Sequence, residues 1–170
     1  MPVIPFHQLP DQARLWVFPS HRTLSQEEEG RLLGAVDAFL EDWAAHGSPL
    51  PAGRDWRHGC FLLVAVDEST APPSGCSIDS LANQLKDLGR ELGVELLDHA
   101  PVFFRKGEEL VRVTRREFRS LVDAGEVTLD TPVFDNSITR LGQLGGDWEK
   151  PAGASWHRRA FFRNGVNGSA

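Results

Sequence analysis

The sequence predicts an α+β protein: a mixed sheet carrying two main helices, followed by a β-rich C-terminal half. Three observations carry this expectation. Two segments in the first half repeat apolar residues at helical spacing behind capping residues. One unbroken apolar run, Cys60-Phe61-Leu62-Leu63-Val64-Ala65-Val66, has the length and composition of a strand buried on both faces. Beyond residue 100 the apolar stretches shorten and alternate with turn residues.

The elements follow in order. Ala13–Phe18 reads as a short strand stopped by Pro19. Ser25-Gln26-Glu27-Glu28 is a capping box, and Leu32, Leu33, Val36, Phe39, Leu40 and Trp43 then mark one helix face, with Gly47 as the stop. Ser48–Arg54 is rich in turn residues. After the central strand comes a Pro/Gly/Ser loop, Ser69–Gly75, and a second helix with Ser77 as its expected N-cap. Ile78, Leu81, Leu85, Leu88 and Leu92 form its stripe and Gly93 its end. Val94–Leu97, Val102–Arg105 and Glu109–Val113 read as strands, the last two joined by a turn at Lys106-Gly107. Thr114-Arg115-Arg116-Glu117 opens a short helix, and Val127–Leu129 and Pro132–Asp135 are expected to be extended.

With 170 residues the chain suits a single domain, 1–170. A sub-division into an α/β part, 1–100, and a β-rich lobe, 101–163, fits the change in pattern, with 164–170 expected as a disordered tail. No apolar stretch is long enough to span a membrane, and no secretory signal is visible at the N-terminus. Two cysteines, Cys60 and Cys76, make neither a disulfide framework nor a four-cysteine zinc site. These features predict a cytoplasmic protein with no membrane partner. The net charge is −6, with residues 1–100 at −8 and residues 101–170 at +2. A balance of +2 is weak for a nucleic-acid-binding half, so nucleic acid is not expected as a partner.

Chemistry is expected around the loop that follows the central strand. Cys76 stands where a helix N-terminus favours a thiolate, though Asp79 opposes that effect by like charge. A nucleophile there needs a base from elsewhere, and His46 or His58 is the nearest in type. Asp67 and Glu68 close the central strand, where open sheets place their ligands. His46 is expected at the end of the first helix, where the helix dipole favours its protonated form. His46, Asp67 and Cys76 suit zinc by ligand type, but their spacing matches no metal motif, so neither a metal site nor a cofactor is predicted. The candidate catalytic residues are therefore Cys76, His46 and Asp67. The candidate binding residues are Ser74, Gly75, Ser77, Asp79 and Glu68, Gly75 being the one able to admit a ligand close to the backbone or adopt positive φ. Arg112, Arg115, Arg116 and Arg119 form a basic stretch, and Trp156-His157-Arg158-Arg159 a second. Trp156 is expected to anchor the C-terminal segment on the domain.

Several blocks carry a resemblance. Trp43-Ala44-Ala45-His46-Gly47, Val66-Asp67-Glu68-Ser69, Ser74-Gly75-Cys76-Ser77-Ile78-Asp79, Val133-Phe134-Asp135-Asn136 and Ser155-Trp156-His157 resemble, in matching order, a family of small uncharacterised bacterial proteins. Its members often carry the label "ABC transporter ATPase". ATP chemistry of the P-loop kind needs Gly-x-x-x-x-Gly-Lys-Ser/Thr, and the chain has no such motif, so it does not read as a P-loop NTPase. Residues 113–134 also resemble the core of GYF-like adaptor modules, which implies a small peptide-binding fold. The Gly-Tyr-Phe signature is missing, because the chain has no tyrosine. Two functions fit these readings. A non-catalytic binding or protein-interaction domain, with a protein or small molecule as partner, is favoured because no complete catalytic constellation can be assembled. The alternative is a small cysteine-dependent enzyme, with Cys76 as nucleophile or metal ligand.

Overall fold

The computed structural model describes residues 3–69 and 71–163; the expected tail, 164–170, lies outside them. The α+β class holds. Among the described residues the expected mixed sheet is replaced by three separate sheets, in which every strand pair is antiparallel. Three of the pairs, β2–β3, β4–β5 and β6–β7, are hairpins whose two- or three-residue turns permit only antiparallel pairing. The chain divides into two compact units, Met1–His99 with Ser137–Gln143, and Ala100–Asn136 with Leu144–Ala170.

In the first unit β1 (Arg14–Pro19) leads to α1 (Gln26–Asp42). The Ser25 capping box forms as predicted, with Ser25 Oγ accepting from Glu28 N–H and Glu28 Oε1 from Ser25 N–H. Arg22 grips the same carboxylate at 2.6 and 2.9 Å and donates to Leu92 O at 2.9 Å. The helix ends before Gly47: Trp43 is its C-cap, and the chain turns directly into a hairpin of β2 (Ala44–Ala45) and β3 (Ser48–Pro49). β4 (Ala52–Arg57) occupies part of the stretch read as turn-rich, and β5 (Phe61–Val66) is the central strand, wholly buried. β5 pairs with β1 from Arg14↔Val66 to Pro19↔Phe61, and with β4 from Ala52↔Val66 to Arg57↔Phe61.

One sheet face, with Phe18, Leu62, Val64 and Val66, packs in a common core with Leu32, Val36 and Leu40 of α1. Leu81, Leu85 and Leu88 of α2 (Gly75–Leu92) complete that core. Gly53 is required by close approach, since a Cβ there would stand 2.3 Å from the Ile4 carbonyl oxygen. Gly93 ends α2 in the left-handed region, φ 66°. Residues 94–97 then form no strand, because Val94 N–H returns to Gly89 O and Glu95 N–H donates to His21 Nδ1. The excursion Ser137–Gln143 runs beside β1, with Leu15 N–H donating to Thr139 O and Leu141 N–H to Ala13 O.

The second unit is built on β6 (Val102–Lys106), β7 (Glu109–Val113), α3 (Arg115–Asp123), β8 (Pro132–Phe134), β9 (Glu149–Pro151) and α4 (His157–Phe161). Its sheet order is β7-β6-β8-β9. The Thr114 capping box starts α3 as predicted. Residues 127–129 are not extended: Val127 N–H bonds Leu121 O, and Thr128 N–H bonds Thr131 Oγ1, which shapes a turn. Phe118 is fully buried, with the rings of Phe161 and Phe104 edge-on at 4.9 and 5.6 Å. Trp148 is buried against Phe134, and its Nε1 donates to Asn136 Oδ1 at 2.8 Å.

Candidate functional site

Cys76 is the second residue of α2, and its thiol is exposed. The helix starts three residues earlier than predicted. Ser74, not Ser77, is the N-cap: its Oγ accepts from Ser77 N–H at 3.1 Å, and Ser77 Oγ accepts from Ser74 N–H at 2.7 Å. This reciprocal box engages both hydroxyls in holding the helix start. Gly75 is helical without positive φ, and a Cβ there would meet nothing within 4 Å, so no close approach demands glycine. Asp79 is exposed one turn further on.

His46 is not at the end of α1. It occupies the turn His46-Gly47 of the β2–β3 hairpin, exposed, with φ 51°. The hairpin neighbours α2, and Trp43 explains why: its Nε1 donates to Ser77 O at 2.8 Å, pinning the end of α1 to the first turn of α2. Asp67 Oδ1 accepts from Ser69 N–H at 2.9 Å, and Glu68 pairs with Arg140 at 3.4 Å. Both carboxylates thus shape the loop. His58 sits in the β4–β5 turn, edge-on to Phe61. Among the described residues no hydrogen bond joins the Cys76 thiol to His46 or Asp67, and no three His, Cys, Asp or Glu side chains cluster at metal-binding distance. A recess of about 340 Å³ nearby is lined by Phe39, Asp42, Trp43 and Ser80.

What remains is an accessible thiol on a rigid helix start, with no base hydrogen-bonded to it among the described residues. Native Cys76 is expected to alkylate about tenfold or more faster than Cys60, which is 3% exposed. Mass spectrometry of partly labelled native protein reads the ratio. Cys76→Ser is expected to change stability by no more than about 0.5 kcal/mol, as at other exposed positions.

The second unit offers a different surface. Trp156 is the one large hydrophobic side chain left exposed among the described residues, at 38%, contrary to the expectation that it anchors the segment. Anchoring falls instead to Trp148 and Phe161, both buried. The His157 ring stacks on the Trp156 indole at 3.9 Å, and the Arg115 guanidinium lies over the indole at 5.3 Å. Arg119 Nη2 donates to Ala160 O at 3.1 Å, so α3 and α4 are joined along this face. On the same unit, Val122, Val127, Leu129 and Phe162 help line a recess of about 480 Å³, with Asp123 and Asp130 at its border.

No family model, no curated protein and no solved structure matches this chain. The functional reading therefore rests on geometry.

The two basic stretches, about forty residues apart in sequence, meet at Trp156. Sequence spacing gave no signal of this, since only the packing of α4 on α3 brings Arg115 to the indole. Beneath Trp156, His157 is 1% exposed, and its Nδ1 lies 2.7 Å from Ser155 Oγ. Burial lowers its pKa to about 4; Arg115 and Lys150 add to the lowering, while Asp135 opposes it. The unfolded chain binds this proton more readily. The stabilisation is therefore complete above the ordinary histidine pKa and is lost as pH falls from about 6.5 toward 4, by about 3 kcal/mol in all. His157→Asn should remove that component of the acid destabilisation. Urea titrations at pH 7 and pH 4, followed by tryptophan fluorescence, give the comparison.

Proposed function

We propose that this chain is a non-catalytic binding module, and that its second unit carries the contact surface around Trp156. The exposed indole in contact with the His157 ring and the Arg115 guanidinium is the observation that carries this reading. An aromatic side chain kept rigid yet partly open to solvent is the kind of anchor that dominates protein interfaces. The order strand, capped helix, turn and strand over residues 113–134 supports a likeness to GYF-like adaptors. The missing tyrosine means that any contact surface here is built from other residues.

The cysteine-dependent alternative draws support from the exposure of Cys76 alone. A peptide-display selection on the full chain separates the two. Selected ligands should lose about tenfold or more in affinity with Trp156→Ala, as at an interface anchor, and keep their affinity with Cys76→Ser. Dependence on Cys76 with indifference to Trp156 would reverse the assignment.

A further inference from the structure

We infer that the Trp156 surface recognises an acidic polypeptide segment, one that presents several Asp or Glu side chains; the inference rests on the binding-module reading above. Charge complementarity is the first argument. Arg115 and Arg119 on α3 adjoin α4, which carries Trp156 as its N-cap and Arg159 one turn along, and Arg116 is exposed beside Arg115. The contacts of Arg115 with Trp156 and of Arg119 with Ala160 O merge the two stretches into one face. Three acids of this unit are engaged within it. Glu149 pairs with Arg105 at 2.9 Å, Asp135 with Lys150 at 3.4 Å, and Glu117 accepts from Thr114 N–H. Asp123, at the end of α3, lies one turn beyond Arg119.

This face also holds uncommitted hydrogen-bond donors. Arg115 uses its Nε for Ala100 O, at 3.1 Å, and its two Nη groups make no hydrogen bond among the described residues. Arg116, Arg159 and the Trp156 Nε1–H likewise have no acceptor there. Planar guanidinium donors beside an indole N–H match carboxylates, which accept two parallel bonds.

The indole environment also favours a peptide over a nucleic acid. Arginine with an exposed aromatic would suit single strands, but base stacking needs an open π-face. The His157 ring, stacked at 3.9 Å, occupies one π-face of Trp156, and the Arg115 guanidinium also lies over the ring, which leaves less of it for a base. The indole N–H, a donor without an acceptor lone pair, suits a carboxylate.

The test uses the full chain and fluorescence anisotropy with three labelled probes: a short peptide of alternating Glu and Ser, a charge-matched single-stranded oligonucleotide, and a neutral proline-rich peptide. The acidic peptide should bind, weaken with salt, and lose about tenfold or more with Arg116→Glu/Arg159→Glu. These positions are exposed, so the variant should fold; should circular dichroism show otherwise, Trp156→Phe, which deletes the N–H donor, is expected to weaken the same probe. The oligonucleotide should bind at least about tenfold less tightly than the acidic peptide. No acidic-peptide binding, binding indifferent to both variants, or tighter binding of the oligonucleotide overturns the inference. If the proline-rich probe alone binds and is lost in Trp156→Ala, the acidic class is wrong while the binding module stands. If no probe binds and display selection also yields no ligand dependent on Trp156, both are wrong.

Discussion

A chain ending at residue 146 should lose the fold of its second unit. The truncation removes β9, α4 and two buried aromatics, Trp148 and Phe161. Loss of either ring alone is expected to cost about 3–5 kcal/mol, and both together rival the whole stability of a typical domain, about 5–15 kcal/mol. It also leaves Phe118 without the Phe161 ring at 4.9 Å, and Asn136 Oδ1 without its Trp148 donor. Amide exchange should show protection lost in β6, β7 and α3. A truncated protein that melts within a degree or two of the full chain would mean that the segment is a tether and not part of the core.

The other large effect is expected at Trp43. It is 4% exposed, contacts the rings of Trp16 and Phe39, each at 5.9 Å, and donates to Ser77 O. Trp43→Ala should destabilise the first unit by about 3–5 kcal/mol. Trp43→Phe keeps most of the packing and removes the donor, at about 1 kcal/mol. Equilibrium denaturation of the two variants separates the hydrophobic part from the hydrogen bond. Near-equal losses would show that the hydrogen bond, and not the ring contacts, holds α1 to α2.

Much of this fold can be read from the sequence wherever one local rule decides. Ser25 and Thr114 are caps because an acid stands three residues on, and both boxes form. The run ending at Val66 is a buried central strand because no charge interrupts it. Legibility stops where two local rules compete or where a distant partner decides. Ser74 and Ser77 can each cap a helix; the structure uses both, one for each half of the box. β4 reads as a turn because Gly53, Arg54 and Asp55 favour none of the usual strand patterns, and only pairing with β5 makes it a strand. The candidate site suffers the same limit. Cys76 is legible as a residue at a helix start, but whether a base reaches it depends on where the His46 hairpin turns. Trp156 reads as the anchor of the C-terminal segment, because its position in the sequence says nothing of Trp148 and Phe161 filling that place.

The excursion Ser137–Gln143 has a consequence for how the chain can be divided. Its hydrogen bonds to Ala13 and Leu15 make residues from late in the chain the outer neighbour of β1. A fragment cut after residue 99 keeps every strand of the first unit yet uncovers the side of β1 that those bonds protect. Unpaired strand edges template association with other chains. A gene split there should give an N-terminal piece prone to self-association, while one that carries residues 137–143 back on a short linker has its border restored. The smallest self-sufficient piece of this protein is thus discontinuous, and its first strand is finished only after most of the second unit has been synthesised.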